Sequence, residues 1–290
     1  MSRFASDLKD VIEDQLERNL SPRKLRRFLE MVGPFLLIVT YAEDALRVVT
    51  RWDEQMMYMK MQMKWGRVLS ALILAASCLA QAAGSTGVIL RRQMRPACYT
   101  LLVFTVVQPI VYGQLGDADF VFRSLTQLGG LLLLLRHEDS LGRGTRRQSA
   151  DLAFAGLGAD AAAGGRGVAS GARLQLIGRV LLMGIFFLQG GRHLFSRGFA
   201  LLPALGFCAL LSLSALVVIG FKARWSALIL ATSLGLSNLW MYPFWMVSGR
   251  ARDFTKYYFF NTLSLMGGLL LLVSYGPGGL SMDHGSKKGI

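Results

Sequence analysis

The chain has 290 residues, 53% of them hydrophobic and only 17% charged. Soluble domains carry about 25% charge, and the apolar residues here fall in long blocks, so a soluble globular domain is excluded. A net charge of +14 would suggest nucleic acid in a soluble protein. With no aromatic-basic recognition module it reads instead as the positive-inside bias of a membrane protein in contact with anionic lipids, and no nucleic-acid partner is expected.

In chain order, Phe4, Leu8, Val11, Ile12, Gln15, Leu16 and Leu20 share one helical stripe, with Asp7, Asp10, Glu13, Asp14 and Glu17 opposite. Residues 1–27 are expected to form a cytosolic amphipathic segment, broken at Ser21-Pro22 and followed by the basic collar Arg23, Lys24, Arg26 and Arg27. There is no continuous apolar core here, so no signal peptide is expected and the first span acts as the targeting signal.

Residues 28–276 predict an all-α, polytopic transmembrane helix bundle. A span needs about 20 mostly apolar residues, and hydropathy marks about eight segments: 28–50, 66–90, 96–115, 119–136, 173–193, 198–220, 223–247 and 256–276. Several are short, so six to eight spans fit. Between the fourth and fifth, residues 140–171 are rich in Gly, Ala, Arg and Ser and read as a flexible cytosolic loop. The basic collar, Arg91, Arg92, Arg95, Arg143–Arg147, Lys222, Arg224 and the tail lysines place both termini in the cytosol. The connections 51–64 and 250–256 are partly basic and fit that orientation less well.

Glu43, Asp44 and Arg47 interrupt the first apolar segment. Charges in hydrocarbon normally face a bundle interior or a wet cavity. Glu43 and Arg47 stand four apart and can pair on one helical face. Two readings stay open: a self-neutralising pair near an interface, or a polar vestibule toward the lumen, extended by Trp52, Asp53 and Glu54. In the second, uncompensated carboxylates hold a cationic group such as a polypeptide's free amine. Gln108, Tyr112, Arg123, Arg179, Gln189, Asn238 and Asn261 read as interhelical hydrogen-bond glue, and the pairs Gly129-Gly130, Gly190-Gly191 and Gly267-Gly268 as close helix packing. Cys78, Cys98 and Cys208 lie in apolar blocks without ligand spacing. No enzyme motif is present; no catalytic residue, metal site or cofactor is expected.

The tail, residues 277–290, ends Lys287-Lys288-Gly289-Ile290. Two ammonium groups at this offset from a free carboxylate form the dilysine pattern read by the coat of Golgi-to-ER vesicles, an address and not an anchor.

The residues also resemble a known family. Tyr41-Ala-Glu-Asp-Ala-Leu-Arg47 with Trp52-x-Glu54-Gln55, Phe122-Arg123-Ser-Leu, Gly129-Gly130 through Leu135, Gly178-Arg179-Val-Leu-Leu182 and Ile219-Gly220-Phe221-Lys222 are similar to blocks of the surfeit-locus cargo receptors. So is Asp253-Phe254-x-Lys256-Tyr257 through Phe259-Phe260 to Gly267-Gly268, followed by Gly276-Pro277-Gly278-Gly279-x-Ser281-Met282-Asp283. The resemblance implies a multi-pass receptor of the endoplasmic reticulum membrane, cycling through the ER-Golgi intermediate compartment and Golgi. It would capture soluble lumenal cargo by short hydrophobic signals, load it into COPII vesicles and return by COPI (coatomer) retrieval through Lys287 and Lys288. Cargo, both coats and membrane lipids are the implied partners, and the oligomeric state is left open, a homo-oligomer included. On this reading Glu43, Asp44 and Glu54, beside Arg47, take the cargo ammonium, while Trp52, Tyr112, Trp240 and Phe244 offer apolar surface. The alternatives are a polytopic membrane enzyme or small-molecule transporter of the endoplasmic reticulum, and a scaffold without a ligand.

Overall fold

A computed structural model describes residues 22–64, 66–153, 172–186, 201–276 and 281. The amphipathic segment before Pro22, Gln189, Gly190-Gly191 and the dilysine residues Lys287 and Lys288 lie outside these residues. The described residues form nine helices and no strand: α1 (Pro22–Thr50), α2 (Trp52–Met63), α3 (Arg67–Ile89), α4 (Met94–Val111), α5 (Ala118–Ala153), α6 (172–186), α7 (Leu201–Ile219), α8 (Ala223–Met241) and α9 (Arg250–Tyr275). Among them, Arg67–Ile89, Met94–Val111, Ala118–Glu138 and Ala251–Tyr275 are long and apolar enough to cross a bilayer, and Leu205–Ile219 is a shorter apolar helix. The chain is an all-helical, polytopic membrane protein. Each of the apolar segments expected from hydropathy contains a helix, although α1 carries its charges mid-helix.

Antiparallel α1 and α9 form the most extensive helix pair. The approach is close because small residues face each other: a Cβ on Gly267 would lie 2.7 Å from the Gly33 carbonyl oxygen. Ser264 Oγ donates to the Leu37 carbonyl (2.5 Å) and Thr40 Oγ1 to the Phe260 carbonyl (2.8 Å), bonds that bind helices where no water competes. The pairing runs on toward the C-terminal end of α1, so the start of α1 and the end of α9 share one end of the bundle. A second glycine contact joins α5 to α6, where a Cβ on Gly129 would meet the Gly178 oxygen and the Leu182 nitrogen, each at 2.6 Å.

Three apolar clusters fill the remaining space. One gathers Leu182, Met183, Val217, Leu230 and Leu269 from α6–α9. A second gathers Leu37, Tyr41, Cys98, Leu101, Leu131 and Leu134 from α1, α4 and α5. The third, Val48, Met59 and Leu74 with Trp52 against them, seats α2 over the end of α1 and α3. Pro34 lies inside α1 and has no N–H to offer the Glu30 carbonyl one turn earlier. Arg91, from the α3–α4 turn, donates Nη2 to that carbonyl at 2.6 Å, which repairs the loss and ties the turn to α1.

One expectation is corrected. Residues 140–153, expected within a flexible loop, continue α5 to Ala153. Leu141, Arg143, Arg146, Arg147, Gln148, Ala150, Leu152 and Ala153 are good helix formers, and a glycine inside a helix costs only about 1 kcal/mol relative to alanine, so Gly142 and Gly144 do not end it. The rest of the expected loop, 154–171, lies outside the described residues.

Replacing Gly129 with valine forces backbone apart at the α5–α6 contact and should destabilise the fold by about 1–3 kcal/mol. The expected outcome is a lower melting temperature in detergent, whereas Gly116→Val, where a Cβ meets nothing within 4 Å, should melt like the parent.

Candidate functional site

At the end of the bundle opposite the start of α1, four elements enclose a cavity of about 1090 Å³. The last turns of α1 supply Asp44, Arg47 and Val48, and the α1–α2 junction Arg51; α2 supplies Glu54, Met57, Tyr58 and Met61; the α4–α5 connection supplies Tyr112, Gln114 and Asp117, and the first turn of α5 Phe120; the first turns of α9 supply Arg252, Asp253, Phe254, Tyr257 and Tyr258. Gln81 of α3 and Gln108 of α4 complete the floor. The cavity lies where α2 leaves the end of α1 at Arg51 and packs on α1 and α3, while α9 starts level with the end of α1.

Most of the charges here are paired. Arg47 donates Nη2 to Asp44 Oδ1, and Gln108 Nε2 reaches Asp44 Oδ2 at 3.4 Å. Arg51 donates to both Asp253 oxygens at 2.6 and 2.9 Å, a bidentate bond from the α1–α2 junction to α9, and its Nη1 lies 3.4 Å from Glu54. Lys256 Nζ lies 3.2 Å from Glu43 Oε1. Aromatic faces take up the cations: Arg47 over Tyr257 (5.6 Å), Arg123 over Tyr258 (4.6 Å) and Lys256 over Phe260 (5.8 Å). Arg47 Nε, Gln81 Oε1 and Gln114 Oε1 are buried without a hydrogen-bond partner.

Of the residues proposed from the sequence, Asp44, Arg47, Glu54 and Tyr112 meet at this cavity. Glu43 lies behind it, paired with Lys256 and not with Arg47. Glu43 and Asp44 are thus not uncompensated carboxylates. Trp52 packs in the cluster beneath α2. Phe244 packs edge-on against Phe259 and tilted against Phe260, 5.1 and 6.1 Å between centroids, and Trp240 is 87% exposed on α8; neither lines the cavity. Arg51, Asp253, Tyr257 and Tyr258 belong to the site but were not singled out for it. The signal was present: α9 opens with Arg250, Arg252, Asp253 and Lys256 before turning apolar, a charge set complementary to that of α1 in antiparallel order.

Because Glu43 is buried and Lys256 half-exposed, Lys256→Met leaves an unpaired buried carboxylate and should destabilise the fold by about 2–3 kcal/mol. Lys256→Met with Glu43→Gln should recover most of that loss. A double-mutant cycle on thermal melting in detergent measures both, and additive losses would show that the pair does not couple.

The SURF4 family model matches residues 6–289. The chain is 34% identical over 280 residues to the Surfeit locus protein 4 homolog of Schizosaccharomyces pombe, covering 94% of this chain and 86% of that one. It is 33% identical over 289 residues to the Surfeit locus protein 4 homolog of Drosophila melanogaster, covering 99% and 98%. Identity to the ER-derived vesicles protein ERV29 of Saccharomyces cerevisiae is 25% over 292 residues, covering 98% and 84%. No solved structure matches the chain significantly. With a family model that covers nearly all of it and relatives aligned from end to end, the chain belongs to the SURF4 family.

Proposed function

We propose that the chain is a receptor of the endoplasmic reticulum membrane that binds soluble lumenal secretory proteins through short hydrophobic segments and carries them into vesicles bound for the Golgi. Membership of the SURF4 family and similarity to a yeast protein named for ER-derived vesicles support the compartment. The single observation that carries the binding role is the cavity of about 1090 Å³. Pockets for small molecules span about 300–1,000 Å³, so this one accommodates several side chains of an extended peptide.

Its lining suits a varied apolar guest. Met57, Met61, Phe254 and Tyr58 are exposed at its wall; methionine is flexible and polarisable and adapts to guests of different shape. Glu54 takes a terminal amine: with its side chain 71% exposed, it exchanges its contact with Arg51 for the guest at little cost.

The orientation follows from the charge bias. Arg91, Arg92, Arg95, Lys222 and Arg224 lie at turns on the end that holds the start of α1 and the end of α9. If that end is cytosolic, the cavity faces the lumen, with both termini, including Lys287 and Lys288, exposed to cytosolic coats. COPII then loads the occupied receptor and COPI returns it through the two lysines.

Capture of a lumenal secretory protein with a hydrophobic amino terminus, read by copurification from membranes, tests the site. Glu54→Lys and Phe254→Glu should each lower capture about tenfold or more at unchanged receptor abundance, and Trp240→Ala should leave it unchanged. Parental capture by both cavity variants would overturn the assignment. Replacing Lys287 and Lys288 with serine should move the protein toward the Golgi in fluorescence microscopy while capture persists.

A further inference from the structure

The opposite end of the bundle holds a second, smaller cavity of about 100 Å³, walled by Leu133, Arg136 and His137 of α5, Gln175 of α6, and Leu272, Tyr275 and Gly276 at the end of α9. His137 stacks on Tyr275 with 3.5 Å between ring centroids, and Gln175 Nε2 donates to the Gly276 carbonyl at 2.7 Å, so two walls are held in place. Gly276 has a positive φ of 79°, and a Cβ there would meet Arg224 Nη2 at 3.0 Å. The Arg224 guanidinium therefore lies directly against the cavity's glycine wall. Arg136 Nε is buried without an acceptor. Neither Arg136 nor Arg224 has a carboxylate partner among the described residues. One guanidinium, that of Arg136, thus lines the polar recess and a second, that of Arg224, lies against its glycine wall, in contrast to the mostly paired charges of the large cavity.

The depth of this recess identifies its occupant. The apolar run Leu131–Leu135 of α5 gives way to Arg136 here, and α9 ends at Tyr275, so Arg136, His137 and Tyr275 sit where hydrocarbon gives way to headgroups. Basic pockets between transmembrane helices at that depth bind anionic headgroups, and arginine matches phosphate oxygens with two parallel donors. A water needs about 10–15 Å³ of such space; the recess takes a group several times larger, which is the size of one phosphate. A phosphomonoester offers three acceptor oxygens and nearly two negative charges, and a phosphodiester fewer of both, so two arginines favour the monoester. We propose that Arg136 and Arg224 bind the terminal phosphate of a phosphomonoester lipid, with Gln175 and His137 holding the walls. This site is independent of the cargo cavity.

The test uses the full chain in detergent micelles, with binding measured by microscale thermophoresis and folding checked by thermal melting. The probes are dioctanoyl phosphatidate, dioctanoyl phosphatidylcholine and inorganic phosphate. Phosphatidate should bind saturably and at least about tenfold more tightly than phosphatidylcholine. Arg136→Gln and Arg224→Gln should each weaken it about tenfold at unchanged melting temperature, and Arg136→Lys should retain part of the binding. Inorganic phosphate binding as tightly as phosphatidate would support the same phosphate site with free phosphate as its ligand. Equal binding of the two lipids, or parental phosphatidate binding by both glutamine variants, would overturn the proposal.

Discussion

Glu43 and Lys256 meet 3.2 Å apart across the α1–α9 interface, and the architecture around them depends on that meeting. Glu43 is buried in the last turns of α1 and Lys256 partly buried in the first turns of α9, and a buried charge left unpaired costs several kcal/mol, so neither helix carries its charge comfortably alone. Antiparallel pairing places the acids of α1 opposite the bases of α9 and, at Arg51 and Asp253, the reverse. The register that permits this comes from small residues further along: Gly33 beneath Gly267, Ser264 bonded to Leu37, Thr40 bonded to Phe260. Close packing and charge pairing thus specify the same alignment, and agreement between such independent constraints is what makes one fold preferable to its competitors.

The large cavity is a consequence of that alignment. Because α9 begins level with the end of α1, its first turns and α2 leave a space between them that apolar side chains do not fill. Most of its charges are paired with one another, so the cavity can present methionine and tyrosine surface to a guest without a strong net field that would select for charge. That chemistry suits recognition of short hydrophobic segments on otherwise unrelated proteins. The far end of the bundle has the opposite character, with arginines that lack carboxylate partners set at headgroup depth.

Much of this was legible in the sequence, and the limits have physical causes. Apolar blocks of span length become helices because the bilayer forces backbone polar groups to pair within a segment, so Arg67–Ile89 and Ala251–Tyr275 could be read from composition. The Gly129-Gly130 and Gly267-Gly268 pairs were rightly read as packing sites, since Gly129 and Gly267 meet the backbone of another helix. Which charges pair was not legible, because helical spacing describes one helix at a time: it joined Glu43 to Arg47, whereas Lys256, 213 positions further on, takes that carboxylate. The same blindness made the basic residues of 51–64 and 250–256 look like exceptions to the orientation rule. Arg51 and Lys256 are bound to Asp253 and Glu43, so they are not free loop charges. Trp240 was read as cavity surface from its type alone. It is 87% exposed on the outside of α8, away from the cavity.

The most direct test of the account is site-specific photocrosslinking in intact microsomes, with a photoreactive amino acid placed in turn at Met61, at Tyr258 and, on the outer surface, at Leu205. The account predicts that Met61 and Tyr258 crosslink to lumenal secretory polypeptides, that excess peptide with a hydrophobic amino terminus removes those crosslinks, and that Leu205 gives none. Peptide-insensitive crosslinks, or equal labelling from all three positions, would contradict it.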